Sequence, residues 1–88
     1  MPESIRIEIY SRPGCHLCDE AKAVIMPFCS RYPIELIVTD VDSNEGLSRA
    51  YGWDIPVIII EGQEAFRHRV DSGAMERKLK ELWNASTS

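Results

Sequence analysis

Residues 5–22 read IRIEIYSRPGCHLCDEAK, and the hydrophobic period changes partway along them. Ile5, Ile7 and Ile9 alternate with Arg6, Glu8 and Tyr10, the period-two pattern of a strand with one face on a core. Ser11-Arg12-Pro13-Gly14 breaks the strand with turn chemistry. From Cys15 onward Leu17, Ala21, Val24, Ile25, Phe28, Cys29 and Tyr32 fall at helical spacing, with Asp19, Glu20, Lys22 and Arg31 largely opposite. A strand, a Pro-Gly turn, a Cys-x-x-Cys pair and a helix thus follow one another without a linker.

The remaining elements follow the same logic. Pro27 interrupts the helix and Pro33 ends it, because proline lacks the N–H and restricts the residue before it. Ile34 to Val38 (IELIV) is a second strand, and its near-continuous apolar character predicts burial on both faces. Asp40 to Asn44 is turn-and-cap chemistry; Ser43 or Asn44 caps a short helix to about Tyr51, which Gly52 closes. Val57 to Ile60 is a third strand, Glu61-Gly62-Gln63 a tight turn, and Ala65 to Val70 a fourth strand antiparallel to the third. Asp71 or Ser72 caps a last helix with Met75, Leu79, Leu82 and Trp83 on one stripe. The order is β-α-β-α-β-β-α, an α/β chain with a right-handed βαβ start and a mixed four-stranded sheet flanked by helices. One domain is expected over 1–84, with 85–88 a frayed tail.

Bulk properties narrow the function. Eighty-eight residues with 44% hydrophobic and 27% charged side chains suit one globular core. A formal charge of −4 with scattered basic residues gives no concentrated basic face, so nucleic acid is not expected as a partner. The run Ile55 to Ile60 is far too short to span a membrane, and the N-terminus has no apolar secretory core. Three cysteines, an odd number, point to a reducing, cytoplasmic setting rather than a disulfide framework.

At the entrance of a helix, Cys15 faces solvent while Cys18, about one turn on, is tucked behind it. Unpaired N–H groups and the positive end of the helix favour a thiolate at Cys15. In Cys-x-x-Cys sites the nucleophile's pKa falls from about 8.5 to about 3.5–7.5. Cys15 is therefore the expected nucleophile and Cys18 the resolving thiol. Two other readings use the same residues: a metal half-site drawing on His16, Cys29 or His68, or a pair of inert thiols. Cys29, on the apolar stripe, is expected to be a buried small hydrophobe.

Tyr10-Ser11-Arg12-Pro13-Gly14-Cys15-His16-Leu17-Cys18 resembles the glutaredoxin signature, and Tyr51-Gly52-Trp53-Asp54-Ile55-Pro56-Val57 is similar to the second signature of the thioredoxin superfamily. The small glutaredoxin-like proteins of bacteria are the nearest group in this resemblance. It implies a thioredoxin/glutaredoxin-like fold, and a thiol–disulfide oxidoreductase serving cell redox homeostasis through Cys15 and Cys18. It implies a cis Pro56 beside Cys15, with the Ile55 backbone presented to the substrate as a strand would be. Arg12 matches a lysine position near the nucleophile, where it would favour the thiolate or grip a glutathione carboxylate. His16 would tune the thiolate by hydrogen bond or charge. His16-Leu17 replaces the family's usual Pro-Tyr, and Val70-Asp71-Ser72-Gly73 its Gly-Gly turn. No metal and no organic cofactor is required; glutathione would serve as reductant or co-substrate. Expected partners are protein or small-molecule disulfides, with glutathione or a thioredoxin reductase as electron source, and the chain is expected to act as a monomer. The competing expectation is a thioredoxin-fold binding module holding a metal or iron–sulfur cluster through the same cysteines.

Overall fold

The computed structural model describes residues 4–87. The elements are β1 (Ile5–Ser11), α1 (His16–Ile25), β2 (Ile34–Asp40), α2 (Glu45–Tyr51), β3 (Val57–Ile60), β4 (Gln63–Arg67) and α3 (Ser72–Thr87). Tight 3-10 turns at Met26–Ser30 and Val41–Ser43 follow α1 and β2. The four strands form one mixed sheet of order β2-β1-β3-β4. β1 and β2 run parallel, and β1–β3 and β3–β4 antiparallel. This is the fold class expected from the sequence.

The alternation in β1 does what it predicts. Ile5, Ile7 and Ile9 are buried with Ile58 and Ile60 of β3, Ala21 and Ile25 of α1, Phe28, and Met75 and Leu79 of α3. Registration places Ile7 opposite Ile60 and Ile9 opposite Ile58, so one face of the sheet carries the core while Glu8 and Tyr10 turn to the other. There the Tyr10 ring meets Tyr51 of α2 at 4.9 Å between centroids.

Pro27 acts as expected. It sits at the start of the 3-10 turn, and the α-helix ends at Ile25 just before it. The change of helical period moves Cys29 off the buried stripe. Cys29 is half-buried rather than buried, with its thiol 3.9 Å from the Ile25 carbonyl.

β2 also departs from expectation. It is an edge strand of half-buried and exposed residues, and Val38 is 47% exposed. A continuous apolar run matches a doubly covered strand only if it lies inside the sheet, and this strand has a neighbour on one side alone. β4 starts at Gln63 and stops at Arg67, short of the expected Val70. Its turn is the pair Glu61-Gly62, both at positive φ (51° and 81°), as a two-residue hairpin loop requires. His68 then takes φ 65° and leaves the strand.

The caps are Asn44, whose side chain accepts from the Leu47 N–H at 3.1 Å, and Asp71, which accepts from the Ala74 N–H at 2.8 Å. Helical backbone continues to Thr87, past the expected end of the domain at 84, because 85–87 contains neither proline nor glycine to stop it. Residue 88 of the expected tail lies outside the described residues.

Candidate active site

The site is assembled where β1 ends. Gly14 adopts φ 81°, and the Cys15 N–H donates back to the Arg12 carbonyl at 3.3 Å, closing the Pro-Gly turn. Cys15 is the N-cap of α1, in extended conformation (φ −84°, ψ 110°). Its Sγ accepts the Cys18 N–H at 3.2 Å, and its carbonyl takes the Asp19 N–H at 3.2 Å. The sulfur stands where a capping oxygen would, facing the unpaired donors and positive end of the helix.

The two thiols occupy different environments. Cys15 is half-buried at the surface, whereas Cys18 is 1% exposed. Burial, and next the hydrogen bond with Cys15, push the Cys18 thiol up to about 11, against smaller opposing effects of the Arg12 backbone and Lys22. At neutral pH the inner sulfur keeps its proton. One accessible sulfur is therefore held by the Cys18 N–H, and a protonated one waits behind it.

Arg12 fastens this corner to two other loops. Its Nε and one terminal nitrogen reach both carboxylate oxygens of Asp42 at 3.1 and 2.9 Å, and the other terminal nitrogen donates to the Gly52 carbonyl at 3.2 Å. Its pKa is raised chiefly by the hydrogen bond to Asp42, with smaller contributions from the charges of Asp42, Asp40 and Cys15. The guanidinium fork is thus filled by the chain's own carboxylate, which occupies the geometry a glutathione carboxylate would need. Gly52 is required here because a Cβ would meet the Ser48 carbonyl and crowd the Arg12 guanidinium.

The loop from Gly52 to Pro56 leads into β3. The Ile55–Pro56 peptide bond is cis, Pro56 is fully buried, and its carbonyl accepts from the His68 N–H at 2.8 Å. Ile55 is half-buried, and its main chain makes no hydrogen bond among the described residues. His16 is exposed, and its side chain makes no hydrogen bond or ion pair among the described residues. Beside α1 a 140 Å³ groove is lined by Leu17, Glu20, Ala21, Val24, His68, Arg69 and Val70.

Several participants were invisible in the sequence pattern. Asp42 reads as turn chemistry, and nothing local says that Arg12 will meet it. Asp54 accepts from Arg67 at 2.7 Å, Arg67 also grips Glu64 at 2.6 and 2.8 Å, and the His68 imidazole lies 3.6 Å from Asp54. The Asp54 contacts join the loop before β3 to the end of β4 and have no spacing signature, whereas the Arg67–Glu64 pair lies within β4. The metal ligands considered at the sequence level, His16, Cys29 and His68, are not gathered with the Cys15–Cys18 pair: among the described residues no group of three or more His, Cys, Asp or Glu is placed to hold an ion. Nor is any described helix long and apolar enough to cross a membrane.

Comparison with known proteins adds to this geometry. The family profile described as Glutaredoxin-like domain (DUF836) matches residues 6–80. The "Glutaredoxin-like protein YDR286C homolog" of Dictyostelium discoideum is 33% identical over 86 residues, covering 91% of this chain and 80% of that protein. The solution structure of protein Ne2328 from Nitrosomonas europaea superposes with a TM-score of 0.76 at 31% identity, covering 89% of this chain and 94% of that one. A malaria-parasite thioredoxin-2 structure shares the fold at 23% identity, with a TM-score of 0.68 over 92% of this chain and 85% of that one.

Proposed function

The chain belongs to the glutaredoxin-like family, and on that premise we propose that it is a dithiol thiol–disulfide oxidoreductase of the cytoplasm. The observation that carries this reading is Cys15 Sγ as helix N-cap, accepting the Cys18 N–H at 3.2 Å, with Cys18 buried behind it. The Cys15 thiolate attacks one sulfur of a substrate disulfide, forming a Cys15–substrate mixed disulfide and releasing the other sulfur as a thiolate. Cys18 then gives up its proton, through water, to the substrate thiolate already released and attacks the Cys15 sulfur. The Cys15–Cys18 disulfide forms and the second substrate thiolate leaves, so two electrons have passed to the substrate. An external thiol, glutathione or a reductase dithiol, returns them.

The high pKa of the Cys18 thiol fits this order, since a protonated inner sulfur is a poor nucleophile and leaves the first attack on the substrate disulfide to Cys15. The unpaired main chain of Ile55 supports docking of an extended, cysteine-bearing segment by strand-like hydrogen bonds. With its fork on Asp42, Arg12 serves this site as the tie that positions the Cys15 loop.

Equilibration in glutathione redox buffers, followed by mass spectrometry, tests the reading. A reversible two-electron loss of two protons' mass, localised to the Cys15–Cys18 peptide, is expected. Cys18→Ser should stop at a stable mixed disulfide on Cys15. Absence of any reversible disulfide across the buffer range, or stoichiometric metal lost on Cys15→Ser, overturns it.

A further inference from the structure

Trp53 is 93% exposed, the most exposed of the large apolar side chains that stand out at the described surface. A free indole in a floppy loop would mean little, but this loop is clamped on both sides of it. Before Trp53, the Gly52 carbonyl is held by Arg12 at 3.2 Å and the Gly52 N–H donates to the Ser48 carbonyl at 2.9 Å. After it, the Asp54 N–H donates to the Tyr51 carbonyl at 2.8 Å and the Asp54 carboxylate is held by Arg67 at 2.7 Å. The next residue, Ile55, has its main chain unpaired among the described residues, and Pro56 beyond it is fully buried.

A rigid backbone thus projects one large aromatic surface two residues from the segment assigned above to substrate docking. An indole of this kind offers about 150–250 Å² for burial, and holding it in place beforehand lowers the ordering cost of binding. Trp is also the residue type most enriched among the few that carry binding energy in interfaces. The cations flanking the loop are already engaged, Arg12 by Asp42 and Arg67 by Asp54 and Glu64 together, so the Trp53 indole is the large apolar surface this loop leaves open to a partner.

We propose that Trp53 is the docking anchor for substrate, and that the substrate it selects is a peptide or protein disulfide with apolar side chains flanking the target cysteine. This rests on the oxidoreductase reading and deepens it. The segment aligned on Ile55 lays a neighbouring leucine-like side chain against the indole, and a polar flank leaves the indole in water. Because the recognition is apolar, it changes little with salt.

The test uses two synthetic disulfide peptides, identical except that leucine or serine stands on both sides of the cysteine, with glutathione disulfide as a third substrate. The wild-type chain should favour the leucine peptide by about tenfold in kcat/KM, mainly through KM, as burial of roughly 60 Å² of apolar surface implies. Trp53→Ala should abolish the preference and Trp53→Phe should keep most of it. Raising the salt from 50 to 500 mM should leave the preference in place. Equal rates for the two peptides in the wild type, or a preference that survives Trp53→Ala, overturn the proposal while leaving the redox chemistry standing. No exchange with any of the three substrates refutes the oxidoreductase reading itself and this inference with it.

Discussion

At Cys18, a buried thiol titrating near 11 has two measurable consequences. Iodoacetamide labelling at pH 8 should modify Cys18 last of the three cysteines, since it is both protonated and 1% exposed; peptide mass spectrometry gives the order. Stability is the second. A thiol pKa raised by folding favours the protonated native form, so the native state holds more protons than the unfolded chain between about 8.5 and about 11. The contribution is intact below that window and is lost as pH rises through it. Urea midpoints of the wild type should fall across this range more steeply than those of Cys18→Ser. At His68, an L-residue held at φ 65°, His68→Gly should raise stability by about 0.5–1 kcal/mol in urea denaturation, relief of left-handed strain outweighing the glycine's extra unfolded-state entropy. The Cys15 and Cys18 positions were legible because spacing within one helical turn fixes their relation. Arg12's partner was not, because Asp42 lies thirty positions away in sequence and only the parallel β1–β2 pairing brings the two together.

Among the elements, the caps carry most of the local instruction. Asp71→Ala should cost about 1 kcal/mol, read as a lower urea midpoint with unchanged m-value, because the Ala74 N–H loses its acceptor at the start of α3. Gly52→Ala should cost more, about 1–3 kcal/mol, since the added methyl meets the Ser48 carbonyl and the Arg12 guanidinium together; thermal unfolding measures it. Asn44, Asp71, Pro27 and the Glu61-Gly62 turn were all readable, each being a side-chain or φ requirement satisfied within a few residues. Burial of β2 was not. Its Ile-Glu-Leu-Ile-Val run states what the strand tolerates, while the sheet order states what it touches, and the order is a property of the whole chain. The half-exposure of Cys29 has a related cause: the 3.6-residue period does not hold through a segment that Pro27 converts to 3-10 geometry.

For the molecule as a whole, β2 is one of the two edges of the sheet, β4 being the other, and it exposes Val38. Val38→Lys should be nearly neutral in stability, within about 0.5 kcal/mol, and should reduce concentration-dependent association in light scattering, because a charge on an edge strand opposes further pairing. The fold class was legible from element order alone. Of the candidate site, the cysteines and the Ile-Pro-Val step were legible; the ties among Arg12, Asp42, Gly52, Asp54 and Arg67 required the three-dimensional arrangement.

The antiparallel register of β1 and β3 separates the two ends of this protein. Ile7 faces Ile60, so the Glu61-Gly62 turn lies beside the beginning of β1, while Cys15 follows its other end. Every tie described around the cysteines belongs to the second end. The turn is therefore a handle: an immobilising tag, a fluorophore or an inserted domain placed there leaves the thiol face pointing outward. A surface-bound or fused form of the chain can be built without touching the end that carries Cys15 and Cys18.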